Sequence, residues 1–171
     1  MVGGYLREGD GVLLSKTRIS NSTFIDNAAG FIVSDDVYIG HHNFIECSNK
    51  VTIETGCQIT SFVSITSHSS HDSIRLYGAA YKGKSDLIGY QKGEVSIGAY
   101  TYVGPHSTIM PGTRIGKGCL ISAYSYVQGE FPDFSIIKGN PAIVVGSTKD
   151  RDAEYLENNP DLQRHYNEWA K

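Results

Sequence analysis

A period of six residues constrains this chain more than any other feature. From Val95 to Gln128 the sequence reads VSIGAYTYVGPHSTIMPGTRIGKGCLISAYSYVQ, and Ile97, Val103, Ile109, Ile115, Ile121 and Val127 recur every sixth position without a miss. Val, Ile and Leu make up about a fifth of the residues, so six such hits from a given start have odds of roughly one in ten thousand. Two positions before each aliphatic stands a slim side chain: Val95, Thr101, Ser107, Thr113, Cys119 and Ser125. Residues two apart in an extended segment share a side. A slim and a large residue on one side, repeating every six, predict short strands joined by tight corners around a packed interior. Neither an α-helical period nor a long alternating strand gives this pattern.

The same frame returns upstream. Ile53, Ile59 and Ile65 form one run, with Cys57 and Val63 as inward partners; Ile39 and Ile45 form another; Ile19, Ile25 and Phe31 a weaker first one. The frame slips by two between Phe31 and Ile39 and again between Ile45 and Ile53. A slip of two keeps each side chain on its own face, whereas a slip of one would turn the core outward, so two-residue bulges at corners are expected. Gly40, Gly56, Gly98, Gly104, Gly112, Gly116 and Gly118 fall at or beside corners. Three hexads close one triangular coil, giving about five coils from Ile19 to roughly Glu130, hydrogen-bonded coil to coil as parallel strands. The expected fold is all-β: a parallel β-helix over 19–147, an N-terminal cap over 1–18 and a helical tail over 148–171. In that tail, Asp152 to Glu157 and Asp161 to Trp169 read as two short helices.

Net charge is −3, which gives no electrostatic case for nucleic acid or an anionic membrane surface. The opening MVGGYLREGDGVLL has no apolar run of signal-peptide or membrane-spanning length, so a cytoplasmic protein without an integral membrane segment is expected. Cys47, Cys57 and Cys119 are odd in number and lack paired metal-ligand spacing, which fits a reducing compartment. Cys57 and Cys119 hold slim inward positions and read as packing.

The stretch from Val95 to Val145, closing on GNPAIVV, resembles the C-terminal half of the galactoside, maltose and polysaccharide O-acetyltransferases of the hexapeptide-repeat superfamily. The resemblance implies a left-handed coil, a homotrimer, an active site between neighbouring subunits, acetyl-CoA as co-substrate, a sugar or glycan acceptor and no metal. The period breaks after Ile65 and resumes at Ile97, and insertions in solenoids frequently carry function. This one, about 67–94, opens with His68 and His71 in TSHSSHDS. Imidazole suits a base that removes a hydroxyl proton, and in the resembled family a His at the start of such a loop has that role. The SSHD setting points to His71, with His68 as second choice. Asp72 is a poorer orienting carboxylate, because neighbours in an extended chain point apart.

By the same resemblance Glu46 falls in an acceptor-binding region, and Tyr102 stands where relatives often carry Trp, which leaves its role open. Carry-over for CoA falls on Gly104, Ser122 and Ala123. Relatives commonly have Thr-Lys where this chain has Gln128 and Gly129, so phosphate contacts fall to Lys138 or Lys149. His41 and His42 read as solvated corner residues, and His106 as lining the cofactor cleft. Three other functions stay open: N-acetylation of a nucleotide-linked amino sugar, a zinc hydratase using three of His41, His42, His68, His71 and His106, and a non-catalytic scaffold.

Overall fold

A computed structural model describes residues 2–171. The chain winds as a triangular prism with three parallel faces. The first face runs through Leu13–Ile19, Tyr38–Ile39, Gln58–Ile59, Tyr102–Val103, Leu120–Ile121 and Ser135–Gly139. The second stacks Phe24–Asp26, Phe44–Glu46, Ser64–Thr66, Thr108–Ile109 and Tyr126–Val127; the third stacks Phe31–Val33, Val51–Ile53, Val95–Ile97, Arg114–Ile115 and Glu130–Phe131. This makes five complete coils and the first side of a sixth. Antiparallel strands flank the first face at both ends: Val2–Leu6 pairs with Leu13–Ile19, and Ala142–Ser147 with Ser135–Gly139. They cover edges that would otherwise present unpaired backbone.

The hexad aliphatics form the core. Ile39, Ile45, Ile59, Ile65, Ile97, Val103, Ile109, Ile121 and Val127 are all fully buried. The slim partners point inward beside them, and Thr101, Ser107 and Thr113 satisfy their hydroxyls on the carbonyls of Gly116, Ser122 and Val127. Buried hydroxyls need such acceptors. Cys47, Cys57 and Cys119 are buried and unpaired. Burial pushes the Cys47 and Cys57 thiols up to about 12 and raises that of Cys119, so all three are poor nucleophiles.

The first frame slip lies elsewhere than the aliphatic run suggests. Val33, not Phe31, pairs with Ile53, so the extra two residues fall between Ile25 and Val33. The second slip, between Ile45 and Ile53, occupies the same corner one coil on. Both Phe31 and Val33 are buried in one strand, which is why Phe31 passed for the frame residue. The inserted loop leaves from this corner too, in the third coil. Every irregularity of the first three coils is thus stacked on the edge between the second and third faces.

The other two edges are regular and aromatic. Between the first and second faces, His42, Phe62, His106 and Tyr124 stack coil upon coil with centroid separations of 5.1, 4.9 and 4.8 Å. All four have left-handed backbone, with φ of 56, 61, 60 and 60°. The rings sit at the strand spacing, and stacking offsets the conformational cost. Between the third and first faces the row reads Tyr100, Gly118, Phe134, all at positive φ. The place over Gly118 is taken by Trp169, 4.6 Å from Tyr100 and 5.8 Å from Phe134. The tail is therefore pinned to this edge. Its helices are α2, Thr148–Asn158, and α3, Leu162–Trp169. The former starts earlier than its composition suggests because the Ser147 hydroxyl caps it, accepting from the Lys149 N–H at 3.2 Å.

Gly104 shows how tightly the coils stack. A Cβ there would lie 2.6 Å from the Ala123 nitrogen and 2.7 Å from the Ile121 oxygen. Gly104→Ala should therefore destabilise the fold by about 1–3 kcal/mol, as overpacking against unyielding atoms does. Thermal unfolding of the purified variant checks this; an unchanged midpoint would show that the coils can part.

Candidate active site

The irregular edge gathers a buried carboxylate and a histidine. Phe44–Glu46 alternates out, in, out, but the widened corner folds over Glu46 and leaves it only 2% exposed. Its Oε1 accepts from the Ser48 N–H at 2.7 Å. Its Oε2 accepts from the Ser67 N–H at 3.1 Å and the Ser67 hydroxyl at 2.8 Å, and stands 2.8 Å from His68 Nδ1 as an ion-pair contact. Burial pushes this carboxyl up, but the Ser48 and Ser67 hydrogen bonds and nearby His68 outweigh it and hold it at about 2. Glu46 is therefore an anion at any ordinary pH.

A permanent anion on Nδ1 dictates the state of the imidazole. A carboxylate oxygen 2.8 Å from Nδ1 favours the neutral tautomer that carries its proton there, with the Nε2 lone pair bare. Ser48 Oγ stands 3.1 Å from the same Nδ1. Tyr90 lies parallel to the His68 ring, with centroids 5.6 Å apart and planes within 11°. Tyr90 comes from the return of the inserted loop, whose neck is a two-residue antiparallel pairing of His68 with Lys92 and Ser69 with Gln91. One face of the ring is thus covered and one edge is held. The Nε2 edge has no hydrogen-bond partner among the described residues.

His71 has different company. Its Nδ1 lies 2.8 Å from Ser69 Oγ, and its Nε2 lies 3.3 Å from Gln91 Nε2 and 3.4 Å from Asp72 Oδ2. Gln91 in turn accepts from Gln128 at 3.3 Å. Asp72 can meet its neighbour because the chain turns there into the short helix α1, Ser73–Tyr77, and is not extended. Arg75 binds the Asp72 carboxylate at 2.5 Å and also the His71 carbonyl. His71 ties the two ends of the loop together, with both ring nitrogens engaged.

The remaining candidates lie apart from this edge. Gly104, Ser122 and Ala123 sit together on the edge between the first and second faces, in the fourth and fifth coils, beside His106 and Tyr124. Ala123 is exposed, and the Ser122 carbonyl accepts the Ser107 and Ser125 hydroxyls at 3.1 and 2.7 Å. Tyr102 points outward from the first face, 41% exposed. Lys138 is exposed on Ser135–Gly139, and Lys149 lies over the Phe134 ring at 4.2 Å. The five histidines considered as zinc ligands divide between two edges. His41, His42 and His106 are on the aromatic one, where His41 Nδ1 bonds the Ser20 hydroxyl at 2.7 Å. Ser48, Ser67 and Tyr90 escaped the sequence reading. The two serines carried a usable signal, since a coil of twenty residues sets Glu46 beside Thr66.

With this geometry in hand, the relatives are informative. The bacterial transferase hexapeptide family (six repeats) matches residues 94–129. The Escherichia coli K12 protein WbbJ, named for a lipopolysaccharide biosynthesis O-acetyl transferase, is 32% identical over 114 residues, 66% of this chain and 58% of its own length. Residues 94–129 carry the hexapeptide repeat of that transferase family. The chain spans little more than half of that curated relative. Among solved structures, a maltose O-acetyltransferase from Clostridium difficile 630 superimposes with a TM-score of 0.66 at 19% identity, over 77% of this chain and 66% of the other. AntD, an N-acyltransferase from Bacillus cereus solved with dTDP and 3-hydroxybutyryl-CoA, gives 0.62 at 19% identity, over 84% and 88%. At such identities the likeness concerns fold alone, and the fold is the left-handed parallel β-helix.

Proposed function

We propose that this protein is an acyltransferase that moves an acetyl group from acetyl-CoA to a hydroxyl of a sugar or glycan precursor, with His68 as the general base. The observation that carries this reading is the His68–Glu46 pair. A bare Nε2 on a ring fixed by a buried anion is what abstraction of a hydroxyl proton requires. As that proton arrives, Glu46 balances the imidazolium, and Nε2 returns the proton to the departing thiolate. Tyr90 screens the ring from water. His71, whose nitrogens are both occupied within the loop, holds the loop in place.

Acetyl-CoA would supply the activated acyl group. The residues on the aromatic edge fit a slender thioester arm: Ala123 is small and exposed there, and a larger side chain would obstruct the corner. Ser122 and Ala123 would hold the arm, with Lys138 for the phosphates. Gly104 contributes by letting the coils stack, since the space beside it is filled by backbone. In one chain these groups lie on a different edge of the prism from His68. A homotrimer, in which one copy lends the base and its neighbour the groove, accounts for that separation. An amine acceptor on a nucleotide-linked sugar is the second reading, favoured by the likeness to AntD. Free thiol released from acetyl-CoA in the presence of a panel of sugars and amino sugars tests the function. Release dependent on a pyranose acceptor is expected; none with any acceptor would contradict it.

A further inference from the structure

We propose that the acceptor's sugar ring rests on the outer surface of the second face, against Phe44, and that the ring is a neutral pyranose. The inference deepens the reading of His68 as base and rests on it. Strand register places Phe24, Phe44, Ser64, Thr108 and Tyr126 in one outward row, coil after coil. Phe24 and Phe44 are parallel within 9°, 6.0 Å apart, and 61% and 40% exposed. Two phenyl groups held side by side offer a flat apolar surface that a ligand with an apolar face can cover. Beyond Phe44 the row drops to Ser64 and Thr108, which carry no ring, before Tyr126 resumes it.

With strands about 4.8 Å apart, the Phe44 and Tyr126 backbones stand roughly 14 Å from each other. The trough between has an aromatic wall at each end and a hydroxyl floor. The same molecule shows what a small residue in an aromatic row invites: over Gly118, between Tyr100 and Phe134, Trp169 fills the gap with a flat ring. The step over Ser64 and Thr108 is wider, two coils without a ring in the row.

Register also ties this trough to the base. Asp26, Glu46 and Thr66 form the next outward row, two residues and so about 7 Å along the strands. In the third coil Ser64, Thr66 and His68 follow one another on the outer side, with the inward Ile65 and Ser67 fully buried between them. A ring lying over Ser64 and Thr66 therefore has its far edge at the imidazole. A pyranose offers one apolar face of C–H bonds and a rim of hydroxyls. The Phe44 face suits the former; the Ser64, Thr66 and Thr108 hydroxyls suit the latter. Neither outward row contains Lys or Arg over these coils, and both carboxylates, Asp26 and Glu46, are acidic. A phosphorylated sugar would meet repulsion there, whereas a neutral ring would not.

Saturation-transfer NMR on the full chain tests this with methyl α-D-glucopyranoside, galactopyranoside and mannopyranoside, and with sorbitol, which has hydroxyls but no rigid apolar face. Saturation of ring C–H protons in at least one pyranoside and none in sorbitol is expected. Phe44→Ser should reduce the signal at least fivefold, and His68→Asn should leave it. Equal signals from sorbitol, no pyranoside signal, or an unchanged signal in Phe44→Ser would each overturn the proposal. So would a fall in light-scattering mass of Phe44→Ser, which would make the pair a contact between copies. If Phe44→Ser loses the signal while His68→Asn still acetylates, the trough stands and the base has been misassigned.

Discussion

His68→Ala should lower kcat by roughly a hundred- to ten-thousand-fold, the usual share of a positioned base, without altering the fold. His68 is half-buried and stands outside the aliphatic interior, so its removal costs the loop neck and Tyr90 a neighbour but leaves the coils intact. Affinity for acetyl-CoA should be unchanged, since the residues assigned to it lie on another edge. His71→Ala should be milder, about tenfold or less: it loosens the Ser69, Gln91 and Asp72 contacts that hold the loop but spares the Glu46-bound ring. Thiol-release kinetics on both variants check the ordering. A dead His71→Ala beside an active His68→Ala would restore the assignment that the SSHD motif first suggested.

On the proposed assignment of His68, that motif misleads for an identifiable reason. In TSHSSHDS the two histidines differ little as text, and the carboxylate next to His71 draws the eye. The carboxylate that matters for His68 lies twenty-two residues upstream. It becomes visible only once the coil length at that height is known to be twenty and not eighteen. The aliphatic interior was legible wherever the hexad run holds, because burial of one large residue per side is written at a fixed interval. The position of the first bulge was not, because Phe31 and Val33 are both apolar and both buried. Tyr90 could not be found at all. It belongs to a loop whose path obeys no period, and its place over His68 follows from the two-residue pairing at the neck. The tail's two short helices were legible but the Trp169 dock was not, because its receptor is the absence of a side chain at Gly118.

Ala123→Trp should abolish binding of acetyl-CoA, at least a hundredfold by calorimetry, while the unfolding midpoint stays near the parent value. Ala123 is exposed on its corner, so the added indole meets solvent in the free protein and obstructs the groove. If each site combines the base of one copy with the groove of its neighbour, two inactive variants can repair each other. Random trimers of His68→Ala and Ala123→Trp in equal amounts contain both intact halves at about a quarter of their sites. Co-refolded mixtures should therefore recover about a quarter of parental turnover, and unmixed variants none. Absence of recovery would place base and groove within a single copy.

The acid stability of the edge follows from Glu46. Its carboxyl is held at about 2, below the ordinary 4.5, so its contribution to folding is complete above the ordinary value and is lost as pH falls toward the folded one. The same anion stands 2.8 Å from the histidine's Nδ1, and this is where the proposed base can be examined without any substrate. Long-range nitrogen–proton correlation spectra of the uniformly labelled protein report which ring nitrogen of His68 carries the proton in the neutral state. The expected result is a protonated Nδ1 and a bare Nε2 in the parent, lost in Glu46→Gln. A neutral His68 protonated on Nε2 would leave no lone pair to accept the acceptor's proton, and would contradict its role as the base.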